Sequence, residues 1–351
     1  MPDRLVQIAI DTWSSRYVLR GVDHDDLART LASVETWDRW HDAWRALGDR
    51  HAELARRAEV RGHRRTAGEA YVRASIAYHF ARYLWHVEAE YEETGRLSVR
   101  AMQDALRLLD PTWERIEVPY RGGVLVGNLR RPPDVDRPPL VVLVPGLDST
   151  KEEFFHWERC YLDRGMATLS LDGPGQGEGA GLPIEPEYER PLAAVLDHLA
   201  GRTDLDLDRV GAVGVSLGGY SVPRAMAFEP RLKAGEALAG VYDVAEVWPL
   251  WSPLTVRKFV KHTRTGSEEA ARAFAARMTL EGVAERIRNP LLLVFGDRDT
   301  IATVEGQRRL ARESGAELWL IEGGNHGVTN LSYLHLGPAA DWMADRLRAA
   351  G

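Results

Sequence analysis

Six short, largely apolar runs constrain this chain more than any other feature in it. They read LVVLVPG (140–146), MATLSLDG (166–173), VGAVGVS (210–216), KAGEALAG (233–240), PLLLVFGD (290–297) and ELWLIEGG (317–324). A continuous apolar run bounded by a turn is expected of a strand buried on both faces. Helical stretches are expected between the runs, at 151–164, 187–201, 217–228, 305–314 and 338–350. Strand and helix alternating at this spacing implies an α/β fold, a mostly parallel sheet with helices on both faces. The interval at about 243–288 is longer than a simple crossover and carries its own helix, SEEAARAFAARM (267–278). It reads as a helical excursion above the sheet.

Upstream, the pattern has a different period. ERIEVPY and GVLVGNLRRP, separated by Arg121-Gly122, read as a hairpin, and RPPDVDRPP as a surface loop. Before them the apolar residues recur at helical spacing. TWDRWHDAWRAL places Trp37, Trp40 and Trp44 on one helical face, AGEAYVRASIAYHFARYLWHVEAEY (67–91) continues as helix, and SVRAMQDALRLLD ends at Pro111. The chain therefore divides into a helical N-terminal domain, 1–112, and a sheet domain, 113–351. Core packing is the expected role of the tryptophans. Lining a pocket for an aromatic ligand is the competing one.

The stretch GAVGVSLGG (211–219) places Ser216 between Gly214 and Gly218, where a buried strand passes into a helix. Glycines on either side allow a sharp turn that holds the hydroxyl above the strand ends. The amide of Leu217 then points from a helix N-terminus towards developing negative charge. A serine hydroxyl needs a base, and the base an orienting group. His326, in GGNHGVTN, follows the last run, and Asp299, in GDRDT, follows the one before it. The order Ser…Asp…His fits this architecture. Asp297 shares the loop with Asp299 and competes for its role; Asp299 is preferred because it lies farther past the strand. A second oxyanion donor is expected from PGLDSTKEEF, with the backbone N–H of Leu147 chosen over that of Asp148, and Ser149 with Glu152 reads as a capping box. The glycine-rich LDGPGQGEG (171–179) lacks the spacing and the lysine of a phosphate cradle and reads as a tight loop beside the site.

Composition excludes several classes. A net charge of −7 argues against nucleic-acid binding. No apolar segment approaches the roughly 20 residues needed to span a bilayer, and the N-terminus does not read as a signal peptide. The single cysteine, Cys160, excludes an intramolecular disulfide and a cysteine metal cluster. A cytoplasmic protein acting on a small-molecule substrate, without cofactor, metal, membrane or nucleic-acid partner, is expected.

PGLDSTKEE, DGPGQGE, GVSLGG and GDRD together resemble the α/β-hydrolase superfamily. Within it they are similar to the subfamily of 2,6-dihydroxypseudooxynicotine hydrolase and the fungal heptaketide-shortening hydrolases. The likeness extends to the helical N-terminal part. It implies an α/β-hydrolase fold preceded by a helical cap domain, a Ser216–Asp299–His326 triad, and often a homodimer. It also implies hydrolysis of a carbon–carbon bond in an aryl ketone or β-dicarbonyl substrate. An assisting acid is implied after the sixth strand, where Asp243 or Glu246 matches and Glu246 is preferred. Ester or thioester hydrolysis, or acyl transfer, would use the same residues. The fermentation–respiration switch protein, a further relative, keeps a non-catalytic binding or regulatory role open, although all three triad members are present.

Overall fold

The structure is a computed structural model that describes residues 3–85 and 87–351. The chain forms two compact units: residues up to Trp113 with Glu152–His156, and Glu114–Lys151 with Trp157–Gly351.

The first unit contains helices α1 (Arg4–Leu19), α2 (His24–Ala32), α3 (Trp40–Val60), α4 (Arg64–Arg82) and α5 (Glu88–Leu109). Asp3 caps α1 by accepting from the amides of Leu5 and Val6, both at 2.9 Å. Trp37, Trp40 and Trp44 are buried in this unit's own core. Trp40 stacks on Trp37 at 5.0 Å, and Tyr17 packs edge-on to Phe80 at 4.6 Å. The Trp40 indole N–H donates to the Phe80 carbonyl at 3.0 Å, so its one polar atom is satisfied where it is buried. Core packing thus accounts for the tryptophans. The stretch expected as one helix over 67–91 is two. The first ends at Arg82, and Leu84 takes a left-handed φ of 59°. Burial of Tyr83, Leu84 and Trp85 outweighs helix propensity there. His86, inside that stretch, lies outside the described residues.

Residues 152–156 carry a charge into this first unit. Glu153 accepts from Arg16 at 2.6 and 2.7 Å and from Arg20 at 3.1 Å, and lies 3.2 Å from His79. Burial alone would raise its carboxyl, but Arg16 and His79 hold it well below the usual range.

The second unit is built on one eight-stranded sheet in the order β1-β2-β4-β3-β5-β6-β7-β8. The strands are β1 (Glu114–Tyr120), β2 (Gly123–Arg130), β3 (Pro139–Val144), β4 (Ala167–Asp172), β5 (Asp206–Val215), β6 (Leu232–Leu238), β7 (Leu291–Gly296) and β8 (Glu317–Ile321). Strand β2 pairs antiparallel with β1 and β4, and the pairings from β4 through β8 are parallel. The β1–β2 turn is Arg121-Gly122, both with positive φ (46° and 77°), the conformation that suits a two-residue hairpin. The six apolar runs become β3 to β8. Every residue of β4 and β7 is buried, whereas the edge strand β8 is largely half-exposed. Crossovers include α6 (Glu158–Leu162), α7 (Glu189–Leu199) and α8 (Gly218–Phe228), and the excursion after β6 holds α9 (Val244–Val247), α10 (Pro253–Thr263) and α11 (Glu268–Ala275). Helix α12 (Val304–Ser314) joins β7 to β8, and α13 (Leu336–Ala349) closes the chain. The helix expected over 151–164 is instead a 3-10 turn, Lys151–Phe154, and the short α6.

One residue in the sheet contradicts its surroundings. Glu236 lies on the fully buried part of β6, where Tyr161 Oη donates to its Oε2 at 3.1 Å and Oε1 has no partner among the described residues. Burial pushes this carboxyl up to about 7 from an ordinary 4.5. The folded state therefore holds a proton that the unfolded chain releases from pH 4.5 upward. Stability is fully present below pH 4.5 and falls as pH rises towards 7. Chemical denaturation of wild type and Glu236→Gln across pH 4–8 measures this. Wild type should lose on the order of 3 kcal/mol relative to the variant over that window; parallel pH profiles would contradict it.

Candidate active site

Ser216 directly follows β5 and precedes α8, with a φ of 56°, a left-handed conformation uncommon for serine. Its N–H donates to Leu238 O on β6 at 2.9 Å. A Cβ on Gly214 would collide with the Gly218 carbonyl, and one on Gly218 with the Val144 carbonyl of β3. The glycines are therefore required by close backbone approach, and the strained turn between them is held in place by its neighbours.

Asp299 and His326 follow β7 and β8. The loops that carry them are joined: the Asp297 amide donates to Ile321 O at 3.1 Å and the Arg298 amide to Gly324 O at 2.9 Å. His326 Nδ1 lies 2.7 Å from Asp299 Oδ2, and both side chains are buried. The other carboxylate oxygen, Oδ1, accepts from the amides of Ile301 (2.7 Å) and Ala302 (3.1 Å), which fixes the carboxylate's orientation. A carboxylate only accepts, so Nδ1 is the ring nitrogen that donates to Asp299, and Nε2 is the one not engaged by it. Asp297 has a different task. Its Oδ1 accepts from the Gly323 amide at 2.7 Å and ties the two loops together.

Leu147 and Leu217 are buried, and neither backbone N–H has a hydrogen-bond partner among the described residues. Buried amides are nearly always paired. Two that are not, one directly after Ser216 and one directly after Gly146, where an added Cβ would stand 3.1 Å from Ser216 Cβ, are suited to receive an oxyanion. The glycine-rich loop after β4 packs against the Leu147 loop. Lys151 lies between Asp172 (2.8 Å) and Glu178 (2.7 Å), its own amide donates to Asp172 Oδ1 at 2.8 Å, and Arg115 also holds Glu178 at 2.7 Å. Burial alone would raise Glu178, but Arg115 and Lys151 outweigh it and hold the carboxyl down at about 2. Sequence reasoning missed this cluster; the one available signal was a lysine flanked by acids in a chain with few lysines.

The two candidate assisting acids make their own contacts beside helix α9. Asp243 caps α9, accepting from the amides of Ala245 (2.8 Å) and Glu246 (3.1 Å). Glu246 is exposed and lies 3.9 Å from Arg309. Neither has a hydrogen bond or ion pair with Ser216, Asp299 or His326 among the described residues. A helix start on one side and a solvated ion pair on the other account for both carboxylates.

Asparagine variants separate the two loop aspartates. In hydrolysis of 4-nitrophenyl butyrate, Asp299→Asn should lower kcat by on the order of 10³–10⁴-fold, with Asp297→Asn within a few-fold of wild type. The reverse ranking would give the orienting role to Asp297.

Among known families, a model described as esterase FrsA-like matches residues 21–246, and the prolyl oligopeptidase family model matches 190–333. The chain is 33% identical to 2,6-dihydropseudooxynicotine hydrolase of Paenarthrobacter nicotinovorans, over 95% of this chain and 91% of that protein. It is 34% identical to 20-hydroxy-prefusarin hydrolase of Gibberella moniliformis over 65% of this chain and 58% of that protein. The crystal structure of 2,6-dihydroxy-pseudo-oxynicotine hydrolase superposes with a TM-score of 0.87 at 31% identity, covering 95% of this chain and 96% of that one. AbyA5 superposes at 0.76 over 98% of both chains but at 20% identity, a likeness of fold alone.

Proposed function

The chain belongs to the FrsA-like esterase family of α/β-hydrolases, and from that premise we propose that it is a serine hydrolase cleaving a carbon–carbon bond in an aryl ketone or β-dicarbonyl substrate. The observation that carries the serine chemistry is the oriented Asp299–His326 pair at 2.7 Å, on the same sheet edge as the strained Ser216. The choice of bond is supported by likeness along nearly the whole chain to a hydrolase named for 2,6-dihydropseudooxynicotine.

His326 Nε2 takes the proton from Ser216 Oγ as the oxygen attacks a substrate carbonyl carbon. Negative charge builds on the carbonyl oxygen and is met by the N–H groups of Leu147 and Leu217. Collapse breaks the bond to the neighbouring carbon, whose electron pair leaves as an enolate delocalised onto the second carbonyl. Protonated His326 returns the proton to that carbon. Water, deprotonated by the same imidazole, then attacks the acyl-enzyme and releases a carboxylic acid and free Ser216. Ester hydrolysis by the same residues is the second reading, favoured by the family's description as esterases. It differs only in that an alkoxide leaves.

Benzoylacetone and 4-nitrophenyl benzoate, which can deliver the same benzoyl group, separate the two readings. Carbon–carbon specificity requires kcat/KM for the diketone to exceed that for the ester at least tenfold. The products should be benzoic acid and acetone, and both activities should be absent from Ser216→Ala. Ester turnover without diketone cleavage would transfer the assignment to the second reading.

A further inference from the structure

The loop that carries the Leu147 amide is gripped by one side chain from another part of the chain. Gln176, in the glycine-rich loop after β4, is buried. Its Nε2 donates to Pro145 O at 2.7 Å and to Gly146 O at 2.8 Å, while its Oε1 accepts from the Gly173 amide at 3.2 Å. Both hydrogens of the amide nitrogen are committed to consecutive carbonyls of one short segment. Two acceptors at one end and a donor at the other leave a single consistent orientation for the side-chain amide.

The consequence follows from peptide geometry. The Gly146 carbonyl and the Leu147 N–H belong to the same peptide unit, and no described peptide bond is cis. In a trans unit the C=O and N–H point in opposite directions. By holding the carbonyl towards itself, Gln176 turns the Leu147 N–H the opposite way. The segment also passes close to the nucleophile. A Cβ on Gly146 would stand 3.1 Å from Ser216 Cβ and 3.6 Å from its Oγ. Without the side chain, the Gly146–Leu147 peptide could rotate, since glycine gives it the freedom to do so and the Leu147 N–H has no partner of its own among the described residues.

We propose that Gln176 is a positioning residue for the reaction: it fixes the Gly146–Leu147 peptide so that the Leu147 N–H is already aimed at the oxyanion. This rests on the assignment of Ser216 as nucleophile and Leu147 as donor. Donors fixed before the reaction contribute most, because they need no reorganisation as charge develops. Removing one oxyanion donor outright costs about 10²–10³-fold in rate; misaiming one approaches that loss. The paired backbone carbonyls would also be left without donors.

The test is the rate and extent of phosphonylation by a small fluorophosphonate, followed by intact mass across pH. Wild type, Gln176→Met, Gln176→Glu and Ser216→Ala are compared. Methionine keeps the volume and removes the donors, and glutamate places an acceptor against the two carbonyls. The expected result is a maximal rate at least tenfold lower in both Gln176 variants, lowest for glutamate. The endpoint should still be one adduct per chain, with the pH midpoint of wild type. A merely structural role would instead lower the endpoint or move the midpoint, and would overturn the proposal. Rates equal to wild type would overturn it too, leaving the nucleophile assignment intact. A folded wild type that takes no adduct would overturn the nucleophile assignment and this inference with it.

Discussion

The catalytic unit depends on a turn that only glycine permits. Strand β5 delivers Ser216 in a left-handed conformation, and Gly214, Gly218 and the β3 carbonyls crowd together beneath it. A left-handed serine costs on the order of 1–3 kcal/mol, and such strain persists only where the surroundings over-determine it. Here β5 is hydrogen-bonded to β3 on one side and β6 on the other, and the Ser216 amide itself is captured by Leu238. The sheet supplies the rigidity, and the site sits where rigid strands give way to short loops.

The same division recurs in the polar groups around the site. Asp299 receives two backbone amides before it meets His326, and Gln176 receives one before it meets two carbonyls. Each functional contact is made by a side chain whose other end is already occupied, so the chemistry does not depend on mobile groups finding one another. The amides of Leu147 and Leu217 are the counterpart. Neither has a hydrogen-bond partner among the described residues, which leaves both free for the oxyanion role proposed above. Elsewhere in the sheet, Glu236 shows what an unbalanced buried group does: burial without a cation partner among the described residues lets it keep its proton to near neutrality.

Most of the fold was legible because short, largely apolar runs and helical periods are signals that a buried parallel sheet and its covering helices impose on the sequence. The turn at Ser216 was legible because its glycines answer a steric demand that any side chain would violate. What was not legible depends on contacts distant in sequence. The 151–164 segment has helical composition, yet the Lys151 amide goes to Asp172 and Glu153 to two arginines, so one helix gives way to a turn and a fragment. The 67–91 helix breaks without glycine or proline because three large side chains are buried at the break. The contacts of Asp243 with the α9 amides and of Glu246 with Arg309 were likewise beyond what sequence spacing past β6 can give. Gln176 lies in a glycine-rich loop, and its partners Pro145 and Gly146 are about thirty residues away in sequence, so no local pattern announces the contact.

The central claim is that Ser216 is an activated nucleophile, and peptide mapping of the protein after reaction with a fluorophosphonate tests it most directly. The account requires one modified peptide, carrying the adduct on Ser216, and none in protein denatured before exposure. An adduct on any other residue, or none on the folded protein, would contradict it.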